Sequence, residues 1–154
     1  MTLSDQSVGL YLHIPFCQRK CPYCAFYSVP IAGRSPDRLT DALLKEIDLY
    51  EIVEPMETIY IGGGSPTCLP KETLIRLVRS LTQRFGTVNE FTAECNPAQV
   101  DLTLFEQLRA SGVNRVSIGA QAFDAAGLNM LGRIHSPEQI TEAVLAAHQA
   151  GFTN

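Results

Sequence analysis

Three cysteines crowd into one short run, Cys17-Gln18-Arg19-Lys20-Cys21-Pro22-Tyr23-Cys24, with C-x3-C-x2-C spacing. Thiolates this close can converge on one small object. A cubane iron–sulfur cluster suits them, with three irons held by cysteine and the fourth open to an outside ligand. Zinc is the other chemistry such thiols serve. Structural zinc, however, takes four closed ligands, usually as two separated pairs, and the only nearby candidate for a fourth is His13. Arg19 and Lys20 lie between the first two cysteines, where they could lower thiol pKa or offset negative charge. Cys68 and Cys95 stand apart from the run and read as small buried hydrophobes. An odd total of five cysteines, three of them clustered, argues against a disulfide framework and for a reducing compartment, the cytoplasm.

The elements that must carry this loop alternate between two periodicities. Gly9–Ile14 reads as a strand that ends at Pro15, immediately before the cysteines. Leu39, Ala42, Leu43, Ile47 and Tyr50 recur at spacings of three and four, which predicts an amphipathic helix over 37–50. Thr58–Ile61 is a second strand, cut off by Gly62-Gly63-Gly64, and Pro70–Phe85 is a second helix stopped by Gly86. The same pair recurs as strand 90–94 with helix 102–110, and as strand 115–118 with helical segments over 125–131 and 137–150. Phe152 reads as the start of a fifth strand. Strands alternating with helices predict an α/β fold of parallel (β/α) repeats. Four units and the start of a fifth make residues 1–154 one domain, about half of a TIM-type barrel of roughly 250 residues. A free-standing doubly wound sheet is the alternative. In both, the loops after the strands carry chemistry, and every unusual motif here falls in one of them.

Composition narrows the functions further. The hydrophobic fraction of 45% is that of a packed globular protein, and 12 Lys and Arg against 16 Asp and Glu leave a net charge of −4. That balance predicts no sequence-independent grip on nucleic acid. No apolar run is long enough to span a membrane, and Met1–Ser7 lacks the basic-then-apolar pattern of a signal peptide.

Tyr11-Leu12-His13-Ile14-Pro15-Phe16-Cys17, with Cys21 and Cys24, resembles the radical S-adenosylmethionine (SAM) superfamily. Within it, the chain is similar to the branch of oxygen-independent coproporphyrinogen III oxidase and its relatives, the haem chaperones. The match continues through Gly62–Thr67, Glu94–Pro97, Ser117–Gln121 and Leu131–His135, in the family's order. The resemblance implies a [4Fe–4S] cluster on Cys17, Cys21 and Cys24, with SAM on the fourth iron. Reductive cleavage of the sulfonium would then give methionine and a 5′-deoxyadenosyl radical. It also implies that Gly63, Gly64 and Ser65 contact the methionyl amino group. Glu94 would pair with that group or with the sulfonium, or bond the ribose. Gln121 would bond the nucleoside, and the fork of Arg133 suits a carboxylate. Tyr11 and Tyr23 could pack against the cluster or the nucleoside, or serve the core. His135 and His148 receive no role.

Two departures choose between the relatives. The oxidases carry a fourth cysteine two residues after the third, where this sequence has Phe26, and they carry a longer N-terminal extension. Both departures resemble the haem chaperones, so the expected function is to bind haem and deliver it to an acceptor protein. Coproporphyrinogen oxidation, a step of porphyrin biosynthesis, is the alternative. A third reading is a zinc- or cluster-stabilised binding fold without radical chemistry.

Overall fold

Leu10, Leu12 and Ile14 alternate with Tyr11 and His13 along the first strand, β1 (Val8–Ile14), so one face of the strand is apolar and the other polar. The computed structural model, which describes residues 7–154, carries this division across a parallel sheet. Its strands are β1, β4 (Met56–Gly63), β5 (Glu90–Cys95) and β6 (Arg115–Ile118), hydrogen-bonded in that order. Helices α1 (Pro36–Asp48), α2 (Lys71–Phe85), α3 (Leu102–Ala110) and α5 (Pro137–Gln149) connect or follow the strands, and a short α4 (Ala125–Met130) precedes α5. Among the described residues the strand order does not reverse. A doubly wound sheet reverses at its switch point, whereas successive neighbours in one direction are the winding of a barrel.

The apolar face packs against the helices. Ile14, Ile61, Phe91 and Ala93 meet Leu74, Leu77 and Val78 of α2 and Leu104, Phe105 and Leu108 of α3 in one buried core. Tyr11, His13, Tyr60, Glu94, Arg115 and Ser117 occupy the opposite, barrel-interior face and are exposed or half-buried.

The boundaries differ from the sequence reading in instructive places. The first helix stops at Asp48, so Leu49 and Tyr50 lie exposed beyond it. Pro70 sits in extended backbone as the cap of α2 and is not in its first turn. The second strand runs on at both ends, from Met56 to Gly63. A two-stranded piece, β2 (Phe16–Cys17) with β3 (Val29–Pro30), was not anticipated, because the prolines beside it punctuate the sequence as a loop. Phe152 does not open an assigned strand. It packs edge-on against Phe105 at 5.9 Å, and the carbonyl of Asn154 accepts a bond from Val116 N–H at 3.2 Å, the first rung on the outer edge of β6. The reading of Met1–Ser7 lies, except for Ser7, outside the described residues.

Asp101 joins two of these units. Its Oδ1 accepts from Leu104 N–H at 2.7 Å, capping α3, and its Oδ2 is 2.8 Å from Lys71 Nζ at the start of α2. Asp101→Ala should cost about 1 kcal/mol in thermal or denaturant unfolding, the usual worth of such a cap. The bond from Lys71, then that from Leu104, holds the Asp101 carboxyl below its ordinary range. A depressed carboxylate stabilises fully above its unfolded pKa and loses that contribution as pH falls through the folded value. The stability gap between parent and Asp101→Ala should therefore close in acid.

Candidate metal and cofactor site

The cysteine loop is closed at its base by β2 and β3. Val29 N–H donates to Pro15 at 2.8 Å and Ile31 N–H to Cys17 at 2.8 Å. The glycine loop after β4 runs alongside, with Gly64 N–H on the Ile14 carbonyl and Ser65 N–H on that of Phe16, both at 2.8 Å. This approach requires glycine. A Cβ on Gly64 would stand 2.4 Å from the Phe16 oxygen and 3.0 Å from Cys17 Sγ.

At the C-terminal ends of the strands these loops enclose a cavity of about 260 Å³. Cys17, Cys21, Tyr23 and Cys24 line it on one side, Gly63, Gly64, Ser65 and Glu94 on another, and Gln121 and Arg133 on a third. Gln121 has φ of 68°, a left-handed backbone that is uncommon for a residue with a side chain and is enriched at functional sites.

A family model described as the radical SAM superfamily matches residues 11–154. The chain belongs to that superfamily. Among curated relatives it is similar to the heme chaperone HemW of Lactococcus lactis, with 38% identity over 146 residues, covering 94% of this chain and 38% of the relative. It is likewise similar to HemW of Escherichia coli, with 37% identity over 151 residues, 94% of this chain and 40% of the relative. Among solved structures, the coproporphyrinogen III oxidase HemN of Escherichia coli, described as a radical SAM enzyme, superposes with a TM-score of 0.85. There the identity is 31%, over 94% of this chain and 35% of that one. The chain thus spans about two-fifths of the length of the curated relatives it matches. These similarities lie in the HemN-like branch of the superfamily.

Superfamily membership implies a [4Fe–4S] cluster and SAM, and the chemistry of the donors fits the cluster. Three soft thiols face one cavity with Cys17 half-buried in it, and binding of the metal must displace a proton that the raised pKa of Cys17 holds more tightly. Burial is the main cause of that rise; the Ser28 hydroxyl opposes it, Cys24 and Cys21 add to it, and the Arg133 cation lowers it. Among the described residues, no three Cys, His, Asp or Glu side chains are drawn to metal-binding spacing. The loop explains this: between Gln18 and Tyr27 it is largely exposed, and its one internal backbone bond runs from Cys24 N–H to Cys21 at 3.1 Å. Bonds within the loop therefore do not fix all three thiols, and the contacts that hold the segment around Cys21 come from outside it.

Several expected residues have other or additional partners. Tyr11 does not line the cavity. It is exposed on the interior face of the sheet, where its hydroxyl donates to His13 Nδ1 at 3.1 Å and its ring tilts against Tyr60 at 5.9 Å. His13 uses its other nitrogen on the Tyr27 carbonyl at 2.9 Å, which leaves neither ring nitrogen free for a metal. Arg19 bonds the carbonyls of Gly132 at 2.6 Å and Arg133 at 3.4 Å, and Lys20 those of Phe26 and Ser28. Both cations hold backbone, so the charge that acts on Cys17 is that of Arg133. Cys95 is buried as expected, but Cys68 is only part-buried.

Three contributors escape a reading of residue types. Tyr60 donates to Glu94 Oε1 at 2.7 Å, while Gly63 N–H donates to Oε2 at 3.1 Å, so the carboxylate is held from both sides. Burial, then the bond to Glu94, pushes the Tyr60 phenol up to about 12. Gln99 Oε1 accepts from Ser65 Oγ at 2.7 Å and from Thr67 Oγ1 at 3.2 Å, which fixes the glycine loop against the end of β5. His135 is buried, with Nε2 2.9 Å from the Ala120 carbonyl and Nδ1 3.4 Å from Arg133 Nη2. For Tyr60 the only sequence signal was its place two residues before the glycines, and for His135 its place in Leu131–His135.

The thiols should be told apart chemically. Burial pushes Cys95 up to about 12, and a buried neutral thiol is a poor nucleophile. Alkylation of the native protein near pH 8, followed by peptide mapping, should label the loop cysteines first and Cys95 last. Labelling of Cys95 at the rate of Cys21 would contradict its burial.

Proposed function

We propose that this chain supplies the cluster- and SAM-binding core of a haem chaperone, with haem as cargo passed to an acceptor protein. One observation carries the reading: the C-x3-C-x2-C thiols, the glycine loop, Glu94, Gln121 and Arg133 line one cavity, with Phe26 at its wall where the oxidases carry a fourth cysteine. The names of the HemW relatives support it. Reduced, unpaired cysteines support a cytoplasmic location, and no described helix is long and apolar enough to cross a membrane.

In this reading Cys17, Cys21 and Cys24 ligate the cluster. When bound, the cluster and SAM supply one-electron chemistry and a cleavable sulfonium. Each protein group has a task of binding or orientation. The Ser65 hydroxyl gives its proton to Gln99, which leaves its oxygen, on a residue lining the cavity, able to accept from an ammonium group. The Glu94 carboxylate, anchored by Tyr60 and Gly63, offers charge to the same ammonium or to a ribose hydroxyl. Gln121 turns its amide toward the cavity for the nucleoside. Arg133 carries the guanidinium for the SAM carboxylate, and Tyr23 walls the cavity beside Cys21.

Anaerobic reconstitution with iron and sulfide, followed by haem titration, tests the proposal. It predicts iron and sulfide bound in cluster stoichiometry and a saturable Soret shift. Absence of a saturable shift would remove the chaperone reading. The likeness to HemN favours coproporphyrinogen oxidation as the second reading. Formation of protoporphyrinogen from coproporphyrinogen III with dithionite and SAM would establish that activity instead.

A further inference from the structure

Arg133 does not extend freely into the cavity; its guanidinium is divided between two sides. Nη2 donates to the Gly119 carbonyl at 3.0 Å and lies 3.4 Å from His135 Nδ1, while Nη1 points the other way, 3.6 Å from Cys21 Sγ. The tautomer of His135 follows from its partners. Nε2 faces the Ala120 carbonyl at 2.9 Å and must carry the proton, so Nδ1 presents a lone pair to Arg133. His135 is 5% exposed, which leaves it little freedom to turn away.

The cysteine loop is brought to this guanidinium by contacts on both sides of Cys21. Arg19 bonds the Gly132 carbonyl at 2.6 Å, and Pro22 packs so closely on Gly132 that a Cβ there would stand 2.7 Å from its Cδ. The bond from Arg133 to Cys21 is therefore part of a docked contact between segments more than a hundred residues apart in the chain.

We propose that His135 is a positioning residue: with the Gly119 carbonyl it aims Arg133 Nη1–H at Cys21 Sγ, and this bond raises the reduction potential of the cluster that Cys21 ligates. The proposal rests on the reading of Cys21 as a ligand. A hydrogen bond and a positive charge at a ligating sulfur stabilise the reduced, more negative cluster, and such outer contacts are the protein's means of setting its potential. The role is separate from carboxylate binding, because it operates with no SAM present.

The experiment is a redox titration of the reconstituted protein without SAM, followed by EPR of the reduced cluster, with iron content measured alongside. His135→Leu and Arg133→Met should each lower the potential, and the double variant should lie no lower than Arg133→Met, since both act on one contact. His135→Gln should stay near the parent, because its amide can donate to Ala120 and accept from Arg133. Unchanged potentials in loaded variants, additive shifts, or equal behaviour of His135→Gln and His135→Leu would overturn the proposal. If His135→Leu does not fold, Arg133→Met decides, and an unmoved potential there overturns it. A parent protein that takes up no cluster overturns both this proposal and the reading beneath it.

Discussion

Serine at position 17, 21 or 24 is expected to reduce bound iron per chain at least tenfold, whereas Cys68→Ser should leave it unchanged. The exchange is nearly isosteric but chemically large. A thiol gives up its proton on coordination and binds iron as a soft thiolate, while a serine hydroxyl remains protonated and hard. Altering a group that only orients a ligand already costs 10- to 100-fold in metal affinity, so loss of a ligand should cost no less. The surroundings offer no replacement. Both ring nitrogens of His13 are engaged, Cys95 is buried with its thiol pushed up to about 12, and Cys68 is pushed up to about 12 chiefly by burial. Iron and sulfide analysis after anaerobic reconstitution checks the prediction. Equal loss in all four variants would show that the loop assignment is wrong, since Cys68 lies outside the run.

Which of these features a sequence can reveal depends on how local their causes are. The parallel sheet was legible because alternation along 9–14 and 90–94, and three-four spacing along α2, are local consequences of facing one core. The segments that meet at the site were legible because their residue types are chemically unusual: three thiols, three glycines and a strand-end glutamate. What stayed hidden is non-local. Arg19 looked like a cation meant for its neighbouring thiols, yet its partners are carbonyls at 132 and 133, which only the closing of the fold brings near. His135 reads as an isolated histidine because its main partner, the Ala120 carbonyl, belongs to a backbone turn that no side-chain pattern records. The pairing of β2 with β3 was hidden in the same way. Two short runs beside prolines have no periodicity to detect, and their bonds become predictable only once β1 and the glycine loop fix where the chain must pass.

Glu94→Gln should weaken SAM binding by roughly 10- to 100-fold while leaving cluster content unchanged. A bond to a charged group is worth about 1.5–3 kcal/mol, and about 1.4 kcal/mol is a factor of ten in affinity. The local geometry points to the same direction of effect. Both carboxylate oxygens of Glu94 accept bonds, from the Tyr60 hydroxyl at 2.7 Å and from Gly63 N–H at 3.1 Å. A glutamine has one acceptor oxygen, so its NH2 group must face one of these donors. If it faces Gly63, the glycine loop loses one of its anchors to β5; if it faces Tyr60, the phenol must turn and donate elsewhere. Either arrangement removes the negative charge from the rim and disturbs the backbone beside Ser65, although side-chain volume hardly changes. The cysteine loop lies on a different strand end and is anchored through β2, β3 and Arg19, which is why iron content should be untouched. Equilibrium binding of SAM to the reconstituted variant measures the effect. An affinity within twofold of the parent would exclude Glu94 from the SAM site. Loss of iron together with SAM binding would instead make it a structural support of the cluster loop.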